Sequence, residues 1–111
     1  MGALLERIDE LLGAPAPEDG SEHHTASRIA NTLTEGYAHA LALEAKRWRL
    51  HRQLGEAAAE LQRGDSQGAE EVSSLARRVA EADDELARLR ERLRALRRRA
   101  SDLRLLPARS N

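Results

Sequence analysis

The chain has 111 residues, of which 33% are charged and 2% aromatic, with one Trp, one Tyr, no Phe and no Cys. That composition excludes disulfides, thiolate metal sites and cysteine catalysis, and it leaves too few large rings to anchor a compact core. The formal net charge of −1 hides a division: residues 1–87 carry nine Lys and Arg against seventeen Asp and Glu, whereas residues 88–111 carry nine Arg against Glu91 and Asp102.

Ala, Leu, Arg and Glu dominate, as they do in long solvated helices, so the expected class is all-α. The first element is a short amphipathic helix over residues 1–13. Leu4, Leu5, Ile8, Leu11 and Leu12 share one stripe, and Glu6, Asp9 and Glu10 lie elsewhere. This start is acidic and lacks the unbroken apolar run of a secretory signal. No stretch reaches the roughly 18 apolar residues of a spanning helix, so a cytoplasmic location without a membrane partner is expected. Gly13 stops the helix, and the Pro-containing stretch 14–24 reads as a linker.

A second helix is predicted from a cap at Thr25 or Ser27 to about Arg63. Its apolar seam is read as Ile29, Leu33, Tyr37, Ala40, Leu54, Ala58 and Leu61, with Gly36 on the seam side, where a missing side chain lets a neighbour approach. Glu44, Arg47 and His51 interrupt the seam; the favoured reading is a polar layer that fixes register, and the others are a layer that binds something or a rotation of the helix that exposes them. Leu41, Leu43 and Trp48 flank it and need a cover. Residues 63–68, Arg-Gly-Asp-Ser-Gln-Gly, form the turn. The Arg-Gly-Asp within it reads as turn chemistry, because glycine followed by a capping residue is what a helix-to-helix connection needs.

The third helix carries the strongest pattern. Val72, Leu75, Val79, Ala82, Leu86, Leu89, Leu93, Leu96, Ala100 and Leu103 alternate spacings of three and four without a break, the heptad period of a left-handed coiled coil. Pro107 is expected to end it, leaving 107–111 as a tail.

Two helices of similar length joined by so short a turn fold back on each other. The predicted fold is thus a long antiparallel two-helix coiled-coil hairpin over 25–106, preceded by a short amphipathic helix. Folding about the turn pairs positions whose numbers sum to about 131. Charge supports that register independently: the basic block Lys46, Arg47, Arg49, Arg52 meets the acidic block Glu81, Asp83, Asp84, Glu85.

Chemistry is scarce. Glu35 and His39 are four apart on one helix, but the ferritin-like pattern needs Glu-X-X-His and facing carboxylates; His23 and His24 fall in the linker or cap. Neither metal nor cofactor is expected. Ser27, Ser66, Ser73, Ser74, Ser101 and Ser110 sit at caps, turns or helix surfaces with no oxyanion loop implied, so no catalytic residue is assigned and the chain is read as non-enzymatic.

The favoured role is a protein-interaction module, an adaptor, regulator or assembly factor that acts through helix packing, either on a protein partner or as a homodimer. Leu4, Ile8, Leu11, Leu41, Trp48, Arg94, Arg97 and Arg98 are the candidate interaction residues. The alternative is a nucleic-acid or nucleotide binder using the Arg-rich end of the third helix, against which stands the lack of interleaved aromatics. Helix 1 is expected to dock back on the hairpin, with Leu4, Ile8 and Leu11 near Leu33, Tyr37 and Leu96, because twelve residues are too few for a stable isolated helix; the competing reading is a free tether that orders only on a partner.

Overall fold

The structure is a computed structural model that describes residues 2–15, 22–64 and 68–109, except the side chains of Glu22 and of 104–109. Three helices follow in order: α1 (Gly2–Gly13), α2 (Glu22–Gln62) and α3 (Gly68–Arg109). No strand occurs among the described residues. Helices α2 and α3 pack against each other, which makes the fold an all-α hairpin with a short helix before it. The linker residues 16–21 and the turn residues 65–67, including the expected Asp65-Ser66 cap, lie outside the described residues.

Two boundaries differ from the sequence reading. Helix α2 starts at Glu22, ahead of both Thr25 and Ser27. Nothing between Glu22 and Thr25 is a helix breaker, and an acidic residue at a helix start suits the dipole. Helix α3 runs through Pro107 to Arg109. A proline in the final turn removes one backbone hydrogen bond, and no long run of helix beyond it has to be sustained.

The α2 terminus closes with two amide donations from Arg63, to the carbonyls of Ala59 (3.3 Å) and Glu60 (3.1 Å), and one from Gly64 to Leu61 (3.0 Å). Gly64 has φ of 99°, the left-handed conformation that ends helices and that a side chain would strain.

The α3 seam is as read from the sequence: Leu75, Val79, Ala82, Leu86, Leu89, Leu93, Leu96 and Ala100 are buried, with Val72 and Leu103 half-buried at its ends. The α2 seam needs correction. Ile29, Gly36, Ala40, Leu43, Leu50 and Ala57 are buried, and Leu33, Leu54 and Leu61 are half-buried. With Arg47 these residues form an unbroken heptad series from 29 to 61. Leu43 is therefore a seam residue and does not flank it, Leu50 joins the seam as well, and Tyr37 is 42% exposed. Of the expected polar layer, Arg47 lies on the series with its guanidinium paired to Asp83, Glu44 is half-buried beside it, and His51 is exposed. Glu44 and His51 sit off the series by one residue each, which turns them about 75° away from its axis.

A Cβ on Gly36 would meet Leu93, and one on Gly68 would meet Leu61, so both pairs sum to 129. The register expected near 131 is thus realised two residues away, and Arg47 with Asp83 fits it within one.

The chain divides into two compact units, Met1–His39 with Arg88–Asn111, and Ala40–Ala87. In the first, α1 lies with the N-terminal part of α2 and the C-terminal part of α3, and its core includes Ile8, Ile29, Leu89, Leu93 and Leu96, the largest fully buried side chains among the described residues. Leu4 and Leu11 are buried beside them, at 6% and 4% exposure. Burying each such side chain contributes about 1.5–3 kcal/mol before ordering costs, which is what makes so short a helix persist. In the second unit the core is Leu50, Ala57, Leu75, Val79 and Ala82, flanked by Leu54 and Val72.

Candidate functional site

Two surfaces collect the candidate residues, one in each unit. In the Ala40–Ala87 unit the outward face of α2 is apolar. Leu41 is 67% exposed and Trp48 61%, and the guanidinium of Arg52 lies over the indole at 4.9 Å from the ring centroid. Ala45, Gly55 and Ala59 are exposed at positions that continue the same three-and-four spacing. With 3.6 residues per turn, this stripe is about 150° around the helix from the seam, so a side chain of α3 in contact with the seam does not reach it. A Cβ on Gly55 would meet nothing within 4 Å. A glycine inside a helix costs about 1 kcal/mol relative to alanine, and no contact within the chain requires this one.

In the other unit, helix α1 is held at its polar edges. Arg7 Nη2 bonds Glu35 Oε1 at 2.8 Å, Arg92 Nε donates to Asp9 Oδ1 at 3.0 Å, and Arg99 Nη2 donates to the carbonyl of Ala14. The last contact sets a cation just past the α1 C-terminus, where the helix dipole favours positive charge. The Arg7 guanidinium holds the Glu35 carboxyl below its ordinary range, chiefly by the hydrogen bond, and Glu35 in turn raises Arg7.

These ties correct the expected seat of α1. Glu35 and Tyr37 are two residues apart, about 200° around α2, so a helix bonded to Glu35 cannot also lie over Tyr37. Leu96 is fully buried and Leu33 half-buried in this unit, but Tyr37 faces away from α1 and remains exposed.

The same ties divide the arginines of α3. Arg92 and Arg99 turn toward α1 and are half-buried, whereas Arg94, Arg97 and Arg98 are exposed. With Ser101 and Asp102 these three line an open groove of about 460 Å³. Arg97 and Ser101 continue into a second groove with Leu33, Tyr37 and Ala100. Sequence reasoning saw one basic block; the structure separates it by face.

Leu4, Ile8 and Leu11 are buried within the chain, so among the candidate residues only Leu41, Trp48, Arg94, Arg97 and Arg98 present themselves to solvent. Glu35, considered with His39 for a metal, is paired with Arg7, and no three His, Asp or Glu side chains converge among the described residues. No helix among the described residues is long and apolar enough to cross a membrane. The fold and these surfaces define the chain as an all-α helical hairpin with a docked N-terminal helix. Compared with family models, curated proteins and solved structures, it has no significant match.

Proposed function

We propose that the protein is a non-enzymatic coiled-coil interaction module of the cytoplasm, an adaptor, regulator or assembly factor, and that it self-associates as a homodimer through the outward face of α2. The observation that carries this reading is the exposure of Leu41 and Trp48 in line with Ala45, Gly55 and Ala59, on the helix face opposite the intramolecular seam. Soluble chains rarely leave such a stripe in water without a partner.

A second copy fits the pattern of sizes. Counted outward from position 50, Leu41 mirrors Ala59, Ala45 mirrors Gly55, and Trp48 mirrors Arg52. An antiparallel second α2 would therefore set Leu41 against Ala59, let the backbones approach where Ala45 meets Gly55, and place each indole against the partner's guanidinium. The cation–π contact that Trp48 and Arg52 make within one chain is then available between chains, where burial strengthens it.

Light scattering at tens of micromolar tests the reading. Twice the mass of one chain is expected for the natural protein, and the mass of one chain for Leu41→Ser with Trp48→Ser, with helicity unchanged because neither residue is in the core. A monomeric natural protein at that concentration overturns self-association.

A further inference from the structure

The arginine groove of the first unit carries an inference that is independent of the α2 face. Helix α1 engages Arg92 through Asp9 and Arg99 through the Ala14 carbonyl. If the basic end of α3 existed only to hold α1, its cations would turn to that side. Arg94, Arg97 and Arg98 instead lie on another face of α3, beside Ser101 and Asp102, around a shallow and open groove. They occupy positions i, i+3 and i+4 of one helix, so their guanidinium groups share a face and repel one another. Between exposed groups the cost is modest, and an anion placed among them reverses its sign.

The groove has a second half. Past Arg97 and Ser101 it runs to Leu33, Tyr37 and Ala100, where Tyr37 is exposed because α1 lies on the other side of α2. A cationic end and an apolar end with one ring thus meet at Arg97. Asp102 stands at the rim of the cationic half. Its carboxylate opposes a long polyanion that continues along α3 past Ser101, but it leaves room for a compact one.

We infer that this groove binds a small phosphorylated molecule bearing a planar or apolar substituent, the phosphates on Arg94, Arg97, Arg98 and Ser101 and the substituent against Tyr37 and Leu33. Guanidinium groups match phosphate oxygens with two parallel hydrogen bonds, and a flat substituent stacks on a phenol ring at little entropic cost. A nucleic-acid strand offers the same phosphate chemistry. Asp102 and the single ring disfavour it, since strand binding relies on a continuous basic track with repeated stacking platforms.

Calorimetry on the full chain with tripolyphosphate, ATP and a single-stranded DNA 20-mer separates the possibilities. Both small anions should bind, and Arg97→Ala with Arg98→Ala should weaken both by about tenfold or more, whereas Arg88→Ala, exposed and outside the groove, should change them less than about twofold. Tyr37→Ala should weaken ATP about threefold or more and leave tripolyphosphate unchanged. All these residues are exposed, so circular dichroism should show every variant folded. Absence of binding by either small anion overturns the inference, as does an equal loss from Arg88→Ala. Binding of ATP that ignores Tyr37 removes the substituent half, and DNA bound more tightly than ATP replaces the small ligand with a strand.

Discussion

Along one part of this chain two helices bury a seam by themselves, and along another a third helix joins them. Where α1 meets segments of α2 and α3, the largest core side chains, Ile8, Ile29, Leu89, Leu93 and Leu96, are all but inaccessible to water. In the Ala40–Ala87 unit Ala82 and Leu86 are equally buried while Leu43, Leu50, Leu75 and Val79 retain 3–7% exposure, and the opposite side of α2 leaves Leu41 and Trp48 exposed. The two mid-helix glycines of α2 express the same difference. Gly36 is required by a contact inside the chain, with Leu93; Gly55 faces open space. Closure from within makes one unit a core, and the other still has a face to cover.

Removing one leucine from each unit should show the contrast at its largest. Leu93→Ala is expected to lower unfolding stability by about 3–4 kcal/mol, since its pocket is sealed and Gly36 has no side chain to fill the void. Leu75→Ala should cost about 2–3 kcal/mol, because neighbours at a two-helix seam relax into the gap more easily. Denaturant melts of both variants check the ordering, and equal losses would show that the third helix adds no rigidity.

The glycines sharpen the comparison at smaller scale. Gly36→Leu should destabilise by about 2 kcal/mol as the new side chain collides with Leu93 in a packed interior. Gly55→Ala should stabilise the isolated chain by about 0.5–1 kcal/mol, the ordinary gain in helix propensity where nothing stands in the way. Thermal melts at low concentration, where association is minimal, separate the two signs.

The smallest effect lies in the tie between α1 and α2. Arg7 lowers the Glu35 carboxyl from its ordinary 4.5, so the pair stabilises the folded chain above that pH and the contribution fades as pH falls through the lowered folded value. Both side chains are about half exposed, which keeps the effect small and sensitive to salt. Glu35→Gln should therefore melt slightly below the natural protein at pH 6, and the gap should narrow as pH falls through the lowered value. A gap unchanged between pH 6 and pH 3 would mean that the glutamate acts through packing.

How much of this was legible in the sequence depended on how many heptad positions were apolar. In α3 all ten are, and the seam could be read directly. In α2 the series passes through Gly36 and Arg47, neither of which looks like a core residue, so a search for apolar side chains drifts to Tyr37 and Ala58 and loses Leu43 and Leu50. Opposed charge blocks brought the register within two residues, because Arg47 and Asp83 do pair. The α1 stripe was readable, but its seat was not: a single Arg7–Glu35 contact decides which side of α2 it takes. For the same reason the split of the arginines could not be foreseen, since in sequence they form one run.

The ties of α1 also bear on the order of assembly. Asp9 meets Arg92 and Ala14 meets Arg99 across 83 and 85 positions of chain, whereas the pairs near Gly64 close loops of a few residues. Loop closure grows costlier with length, and folding slows when contacts are distant in sequence. The hairpin should therefore zip from its turn, and the most deeply buried core should be the last to form. In pulse-labelled hydrogen exchange, amides near Leu54 and Leu75 are expected to gain protection before those near Ile8. A chain emerging from synthesis cannot complete that core until α3 is nearly finished, so acidic α1 waits, unpaired, for arginines that are made more than eighty residues later.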